Sequence, residues 1–307
     1  MHKQRFAPTR LAGEGGMGRV YEALDLESGR RVALKIITAR DPISLARFAD
    51  EVAILEALRH PAIVGHVAHG VSRDGRPYLA MDWLAGETLS ARLGRGRLSA
   101  NDTLAVGRRI ADALAASHAH GIVHRDLKPG NILLVHGRLD AAVLIDFGVA
   151  RRLTLARDLT SRGMLVGTPG FMAPEQALSS RVDGRADLFA LGCVLYSCLT
   201  GRRAFDGADT YDVIAQLVHV TPPAMSALVP HVPPQLDALI RRLLAKDPGA
   251  RPAGAAEVAC ELARITDDEA WSPRAARARA LGRERGCYPA IDPKTETAGA
   301  CQQPAVS

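Results

Sequence analysis

The stretch GEGGMGRVYEA, Gly13 to Ala23, constrains this chain more than any other. Gly13, Gly15 and Gly18 fit G-x-G-x-x-G, a spacing found in two kinds of phosphate-binding turn. In one, the glycines open a helix whose N-terminus faces a pyrophosphate, and an acidic ribose ligand ends the next strand. In the other they belong to a hairpin that covers phosphates from above. The residues after Gly18 decide between them. Arg19 to Ala23 leads into a polar turn, Asp25 to Gly29, and then into RRVALKII ending at Ile37, with β-branched Val20, Val32, Ile36 and Ile37. That is strand, turn and strand, which excludes the dinucleotide fold.

The segment ISLARFADEVAILEALRHP places Phe48, Val52, Leu55 and Leu58 at helical spacing and stops at His60-Pro61. Strands are expected over Ile63–Val71 and Tyr78–Leu84, joined by a turn at Asp74-Gly75. Beyond Leu84 the periodicity is helical, over Thr103–His120, Leu188–Leu199, Tyr211–Val220, Gln235–Ala245 and Ala255–Ile265. From Trp271 no apolar stripe remains, and that end reads as a tail. The expected fold class is therefore α+β, with a small strand-rich lobe followed by a larger helical one.

With 47% hydrophobic and 23% charged residues, the chain's 307 residues suit a globular protein with a buried core. The net charge of +6 is swollen by Arg274, Arg277, Arg279, Arg283 and Arg285 near the C-terminus. No aromatic residues interleave them, so they read as a solvated arm and no specific nucleic-acid partner is expected. The five cysteines, Cys193, Cys198, Cys260, Cys287 and Cys301, form no C-x-x-C pair and read as reduced thiols. The N-terminus has no signal-like apolar run, and LFALGCVLYSCL, Leu188 to Leu199, is too short for a transmembrane segment. A cytoplasmic location is expected. His118, His120 and His124 do not match a zinc spacing.

Five motifs follow one another: GEGGMGRV, VALK (Val32 to Lys35), HRDLKPGN (His124 to Asn131), DFG (Asp146 to Gly148) and APE (Ala173 to Glu175). In this order the chain closely resembles the eukaryotic-type (Hanks-type) Ser/Thr protein kinases, bacterial branch, over roughly Arg5 to Ile265. The resemblance implies a two-lobed kinase fold: a catalytic domain at 5–267, with its N-lobe at about 5–82 and its C-lobe at about 87–267. A basic, disordered tail would occupy 268–307. It implies transfer of the ATP γ-phosphate to Ser/Thr hydroxyls of proteins with Mg²⁺ as cofactor, Mn²⁺ being able to substitute. The alternative is a pseudokinase scaffold that binds nucleotide or partner proteins without turnover. A small-molecule phosphotransferase is disfavoured by the intact GTPGFMAPE segment.

Phosphoryl transfer asks a protein to neutralise charge and to align two oxygens with phosphorus. By the resemblance, Lys35 holds the α- and β-phosphates and pairs with Glu51 on the following helix. Asp126 is the catalytic base, Lys128 steadies the γ-phosphate, and Asn131 and Asp146 hold the metal. Gly13, Glu14, Gly15, Gly16 and Gly18 cover the phosphates. Val20, Ala33 and Leu133 wall the adenine pocket, with Met81 as gatekeeper and Asp82 to Leu84 as hinge, while Glu87 is within reach of the ribose. Thr160 or Ser161 would be autophosphorylated in the segment between DFG and APE, in trans if two copies form a homodimer, and Arg125 would receive the phosphate. Thr168 would act as a substrate platform. Glu175 is expected to pair with Arg251, and Asp187 to cap the HRD loop. Gly130 stands where relatives that prefer arginine-rich substrates carry Glu, which argues against a strongly basic substrate preference.

Overall fold

The computed structural model describes residues 5–15, 18–147, 169–178, 182–230 and 232–265. The candidates Gly16, Thr160, Ser161 and Thr168, Gly148 of DFG and the arginine-rich tail lie outside the described residues. Contacts group the described chain into one unit, Met1–Thr266.

The first half is a five-stranded antiparallel sheet in the order β1-β2-β3-β5-β4, built from β1 (Phe6–Gly15), β2 (Gly18–Asp25), β3 (Arg31–Ile37), β4 (His66–Val71) and β5 (Pro77–Asp82). The polar turn closes because the buried Asp25 carboxylate accepts hydrogen bonds from Arg5, Ser28 and the Glu27 amide, and Gly29 takes a φ of 68°. Gly75 closes the second hairpin at φ 75°. In β3, Val32 and Leu34 pack with Phe6, Ala23 and Ala80. Lys35 and Ala33 alternate with them and so face the other way.

α1 (Pro42–Ala57) starts where Asp41 accepts the Ser44 amide at 2.9 Å, and buries Phe48, Val52 and Leu55 on one stripe, with Glu51 in the same stripe. The strand expected from Ile63 begins only at His66. The backbone of Ile63 and Val64 is used elsewhere: Val64 N–H donates to Leu144 at 2.9 Å, and Leu144 N–H donates to Ala62 at 2.9 Å. These bonds tie the loop after α1 to the short strand that ends at Leu144. β1 was not foreseen as a strand. It is an edge strand with two register irregularities, one of them directly after Pro8, and sheet edges and bulges are where proline is tolerated.

Helices then dominate. β6 (Gly86–Thr88) leads into α2 (Leu89–Leu93) and α3 (Ala100–Ala119), and pairs in a small sheet with β7 (Ile132–Val135), which pairs in turn with β8 (Ala142–Leu144). α4 (Pro174–Ala177), α5 (Arg185–Thr200), α6 (Thr210–His219), α7 (Met225–Leu228), α8 (Pro234–Leu243) and α9 (Ala255–Arg264) follow. α5 is apolar on every side because every side is covered: Ala186 through Leu199 are all buried, and Gly201 ends it in the left-handed region at φ 70°. Among the described residues no helix is long and apolar enough to cross a membrane. The architecture is a two-lobed α+β fold.

Candidate active site

A cleft of about 910 Å³ opens between the five-stranded sheet and the β7 region. Its roof is Gly13, Glu14, Gly15 and Gly18, and its apolar walls include Val20, Ala33 and Leu133. Met81, Asp82 and Leu84 line the connecting side, and Lys35, Glu51, Asn131 and Asp146 converge at the inner end. The glycines differ in their reasons. A Cβ on Gly18 would stand 2.1 Å from the Ile36 carbonyl oxygen, so the close approach of β2 to β3 requires glycine there. At Gly13 and Gly15 a Cβ would meet nothing within 4 Å. Their bareness leaves room under the roof and serves no packing need.

Lys35 Nζ donates to Glu51 Oε1 at 2.6 Å and Oε2 at 2.8 Å, and lies 3.7 Å from Asp146 Oδ1. Burial works against the Lys35 ammonium, but the Asp146 and Glu51 carboxylates outweigh it and hold the amine above its ordinary value. Burial pushes the Glu51 carboxyl up, Lys35 pulls it down and Asp146 adds to the rise, leaving it above the ordinary carboxylate range. Asp146 is half exposed at 48%, so its carboxylate faces the cleft.

Across the cleft Asn131 lines the wall, and Asp126 stands behind it in contact with Asn131 without lining the cleft itself; a loop with little regular structure sets both. Asn131 Nδ2 donates to the Asp126 carbonyl oxygen at 2.9 Å and to its Oδ2 at 3.2 Å. Lys128 Nζ donates to the same Oδ2 at 2.6 Å. The loop is held from below. Asp187 accepts the His124 and Arg125 amides, each at 2.8 Å, and also meets His118 Nε2 at 2.8 Å. Gln176 donates to the Arg125 carbonyl oxygen at 2.9 Å while accepting the Ala173 amide at 3.1 Å. His124 Nδ1 accepts the Asp126 amide at 3.3 Å, and its ring packs at a tilt against Phe147, 4.8 Å between centroids. Below α4, Arg251 donates to both Glu175 oxygens at 2.6 and 2.9 Å with the pair fully enclosed.

Residues 6–262 match the protein kinase domain family. The chain belongs to that family. Its relatives place it on the bacterial Ser/Thr branch. The probable serine/threonine-protein kinase SCO3848 of Streptomyces coelicolor is 37% identical over 293 residues, covering 93% of this chain and 43% of that protein. Serine/threonine-protein kinase Pkn1 of Myxococcus xanthus is 42% identical over 251 residues, 79% of this chain and 36% of the relative. PknB of Mycolicibacterium smegmatis is 36% identical over 274 residues, 87% and 44%. The chain thus spans less than half the length of these kinases. The solved structure of Rad53 1–466 in complex with AMP-PNP superposes with a TM-score of 0.68 at 24% identity, over 83% of this chain and 64% of Rad53, and supports the kinase fold.

One expectation meets a competing contact. Glu87 is bound to Arg95 in a bidentate contact at 2.5 and 2.6 Å and does not line the cleft; its neighbours Gly86 and Thr88 do. The strand pairing of β6 with β7 alternates the side chains, turning Glu87 away. Sequence reasoning missed Gln176 and the role of His118, whose partners lie 51 and 69 residues away. It also missed Ile145, which lines the cleft and carries no chemical signature.

Proposed function

We propose that this chain is an active Ser/Thr protein kinase that uses Mg²⁺ and ATP. The observation carrying the reading is the convergence of the Lys35–Glu51 ion pair, Asp146 and Asn131 at the inner end of one cleft, under a roof with open space at Gly13 and Gly15. ATP resides in the cytoplasm, which supports that location.

The donors fit a hard divalent cation. Asp146 offers a carboxylate, and Asn131 has both amide hydrogens turned to Asp126, leaving its Oδ1 as acceptor. Asn131 and Asp146 would hold Mg²⁺, whose positive charge screens the phosphate oxygens so that a nucleophile can approach. Lys35, kept charged by two carboxylates, binds the α- and β-phosphates, and Glu51 fixes the direction of its ammonium. Apolar Val20, Ala33 and Leu133 sandwich the adenine ring, and the Asp82–Leu84 backbone reads its edge. Asp126 takes the proton from the attacking Ser or Thr hydroxyl as the oxygen–phosphorus bond forms and the bond to the leaving diphosphate breaks. Lys128, 2.6 Å from Asp126, neutralises charge beside the γ-phosphate.

A second hollow of about 290 Å³ adjoins the cleft at Gly130 and is lined by Lys128, Arg202 and Arg203, with no carboxylate in its wall. Such a lining favours an acidic side chain in the substrate near the acceptor, in keeping with the missing charge at Gly130. Autophosphorylation at Thr160 or Ser161, in trans between two copies, belongs to the same reading. Intact-mass analysis with Mg²⁺ and ATP, compared with a Thr160→Ala, Ser161→Ala variant, tests it.

Labelled γ-phosphate transfer to a generic protein substrate tests the reading as a whole. Asp126→Asn should lower the rate by about 100- to 10,000-fold. Equal rates in both proteins would contradict it.

A further inference from the structure

His66 and His69 stand three residues apart on β4. On a regular strand, residues an odd number apart point to opposite faces. Here the ladder with β5 slips between His66 and Ala68, so that His66 lies opposite Met81 and His69 opposite Leu79, two residues apart on β5. The bulge turns both imidazoles to one face. The end of α1 brings Glu56 to that face. His66 Nε2 is 3.1 Å from His69 Nδ1, and His69 Nδ1 is 3.6 Å from Glu56 Oε1. All three ligand atoms lie within 4.8 Å of one another, which no other group of three His, Cys, Asp or Glu side chains among the described residues achieves.

These separations have a meaning in coordination geometry. Four ligands held at about 2.0–2.1 Å around a tetrahedral Zn²⁺ stand roughly 3.3 Å from each other. Two of the three edges, at 3.1 and 3.6 Å, bracket that figure, and the third, between His66 and Glu56, lies within 4.8 Å. A hydrogen bond between the imidazoles accounts for the first edge and a direct His69–Glu56 contact for the second; one cation accounts for both together.

We propose that Glu56, His66 and His69 form a site for a divalent transition metal of the Zn²⁺ class, with water completing the shell, that fastens the end of α1 to β4. Two imidazole nitrogens and one carboxylate oxygen suit Zn²⁺, Ni²⁺ or Co²⁺ and do not suit Mg²⁺, so this site differs in chemistry from the pair Asn131 and Asp146. Glu56 at 50% and His69 at 41% exposure leave the ion a way in. Arg59 acts on the His66 ring from nearby, a repulsion that weakens the site without occupying it. Glu56 lies five residues beyond Glu51 on the same helix, so a bound ion would restrain the helix that presents Glu51 to Lys35.

The test needs no nucleotide and no turnover, so its failure is separable from failure of the kinase reading. Exposed Cys260, together with Cys287 and Cys301, is first changed to Ser to remove competing thiols, and Mg²⁺ is kept saturating. Zn²⁺ is then titrated against a chromophoric chelator, with thermal unfolding followed in parallel. The Cys→Ser protein should bind one equivalent of Zn²⁺ that His66→Gln, His69→Gln loses, and Glu56→Gln should weaken binding at least tenfold. Zn²⁺ should raise the Tm of the former protein and not of the double variant. If the double variant does not fold, His69→Gln alone carries the comparison. Co²⁺ should give the absorption of a nitrogen- and oxygen-ligated ion. The same zinc stoichiometry and affinity with and without the histidines, or no binding at micromolar Zn²⁺, would overturn the proposal.

Discussion

The carboxylate of Asp187 accepts the backbone N–H of Arg125 at 2.8 Å, and Arg125 holds a positive φ of 65°. A non-glycine residue in that region costs roughly 1–3 kcal/mol and persists only where its surroundings over-determine it. Here the surroundings are the two Asp187 oxygens below and Gln176 on the Arg125 carbonyl. The strain sits one residue before Asp126, so the turn aims the proposed base. Asp187→Ala would leave two backbone amides and His118 without their acceptor. It should cost about 3 kcal/mol or more in denaturant unfolding, since each enclosed donor left unsatisfied costs about 1–3 kcal/mol. Asp187→Asn keeps one acceptor oxygen and should cost less, about 1–2 kcal/mol. Unchanged stability in Asp187→Ala would remove the loop-anchoring role.

Lys35→Met deletes the ammonium but keeps a long apolar stem. Because Lys35 touches Glu51 and Asp146 as well as the space under the glycine roof, the variant should lose at least about 100-fold in kcat/KM for transfer. Circular dichroism should show the fold retained. Glu51→Gln leaves the lysine in place with a weaker partner and should lose less than Lys35→Met in the same assay.

His124 sets a pH dependence. Its ring is enclosed, burial holds its pKa below the ordinary value of 6.5 against the pull of Asp187, Asp126 and Asp146, and its Nε2 has no hydrogen-bond partner among the described residues. The unfolded chain takes up a proton below about pH 6.5 that the folded chain does not. Stability contributed by neutral His124 is therefore full above pH 6.5. It falls as pH drops below 6.5, until the lower folded value is reached. The slope attributable to this residue is at most about 1.4 kcal/mol per pH unit. Subtracting a His124→Phe profile from the wild-type profile between pH 7 and 5 should isolate it; parallel profiles would contradict the assignment.

Much of the fold is legible in the sequence because its signals are local. The glycine pattern followed by β-branched residues specifies a hairpin, and the stripe of Phe48, Val52 and Leu55 specifies α1. β6 and β8 are three residues long, too short for alternation to show. β1 carries Pro8 and mostly exposed side chains, so it resembles a loop until its partner is known. In the site, residues with chemically distinctive side chains are visible within their motifs, and the cleft gathers Lys35, Glu51, Asn131 and Asp146. Gln176 is invisible by the same logic, since an amide in a short helix carries no signal until Arg125 lies above it. Glu87 lies off the cleft lining because strand register, which decides the direction of a side chain, is not written in spacing near the connecting segment.

Arg251 is a fork, and its geometry is used. Both terminal nitrogens bind Glu175, while the same guanidinium donates to the carbonyl oxygens of Ala245, Lys246 and Arg185 and covers the Phe189 ring at 4.9 Å. Arg251→Ala should cost about 3–5 kcal/mol by stranding an enclosed carboxylate. Arg251→Lys should not restore stability, because an ammonium is a point charge without the planar array. Full recovery in Arg251→Lys, measured by urea unfolding, would show that charge alone suffices.

The hollow beside Gly130 predicts substrate choice. Peptides with Glu near the acceptor should show lower KM than the same peptides with Lys, and Gly130→Glu should narrow or reverse the difference. A Cβ at Gly130 meets only the Lys128 stem at 4.0 Å, so the change is sterically tolerated. Equal KM for both peptides in the wild type would remove the hollow from the account.

The most direct test of the central claim is transfer of labelled γ-phosphate from ATP to a serine peptide and to its alanine twin, each with Mg²⁺ and with chelator. Label is predicted on the serine peptide in Mg²⁺ alone. ATP binding without label on any hydroxyl would contradict the account and leave a nucleotide-binding scaffold in its place.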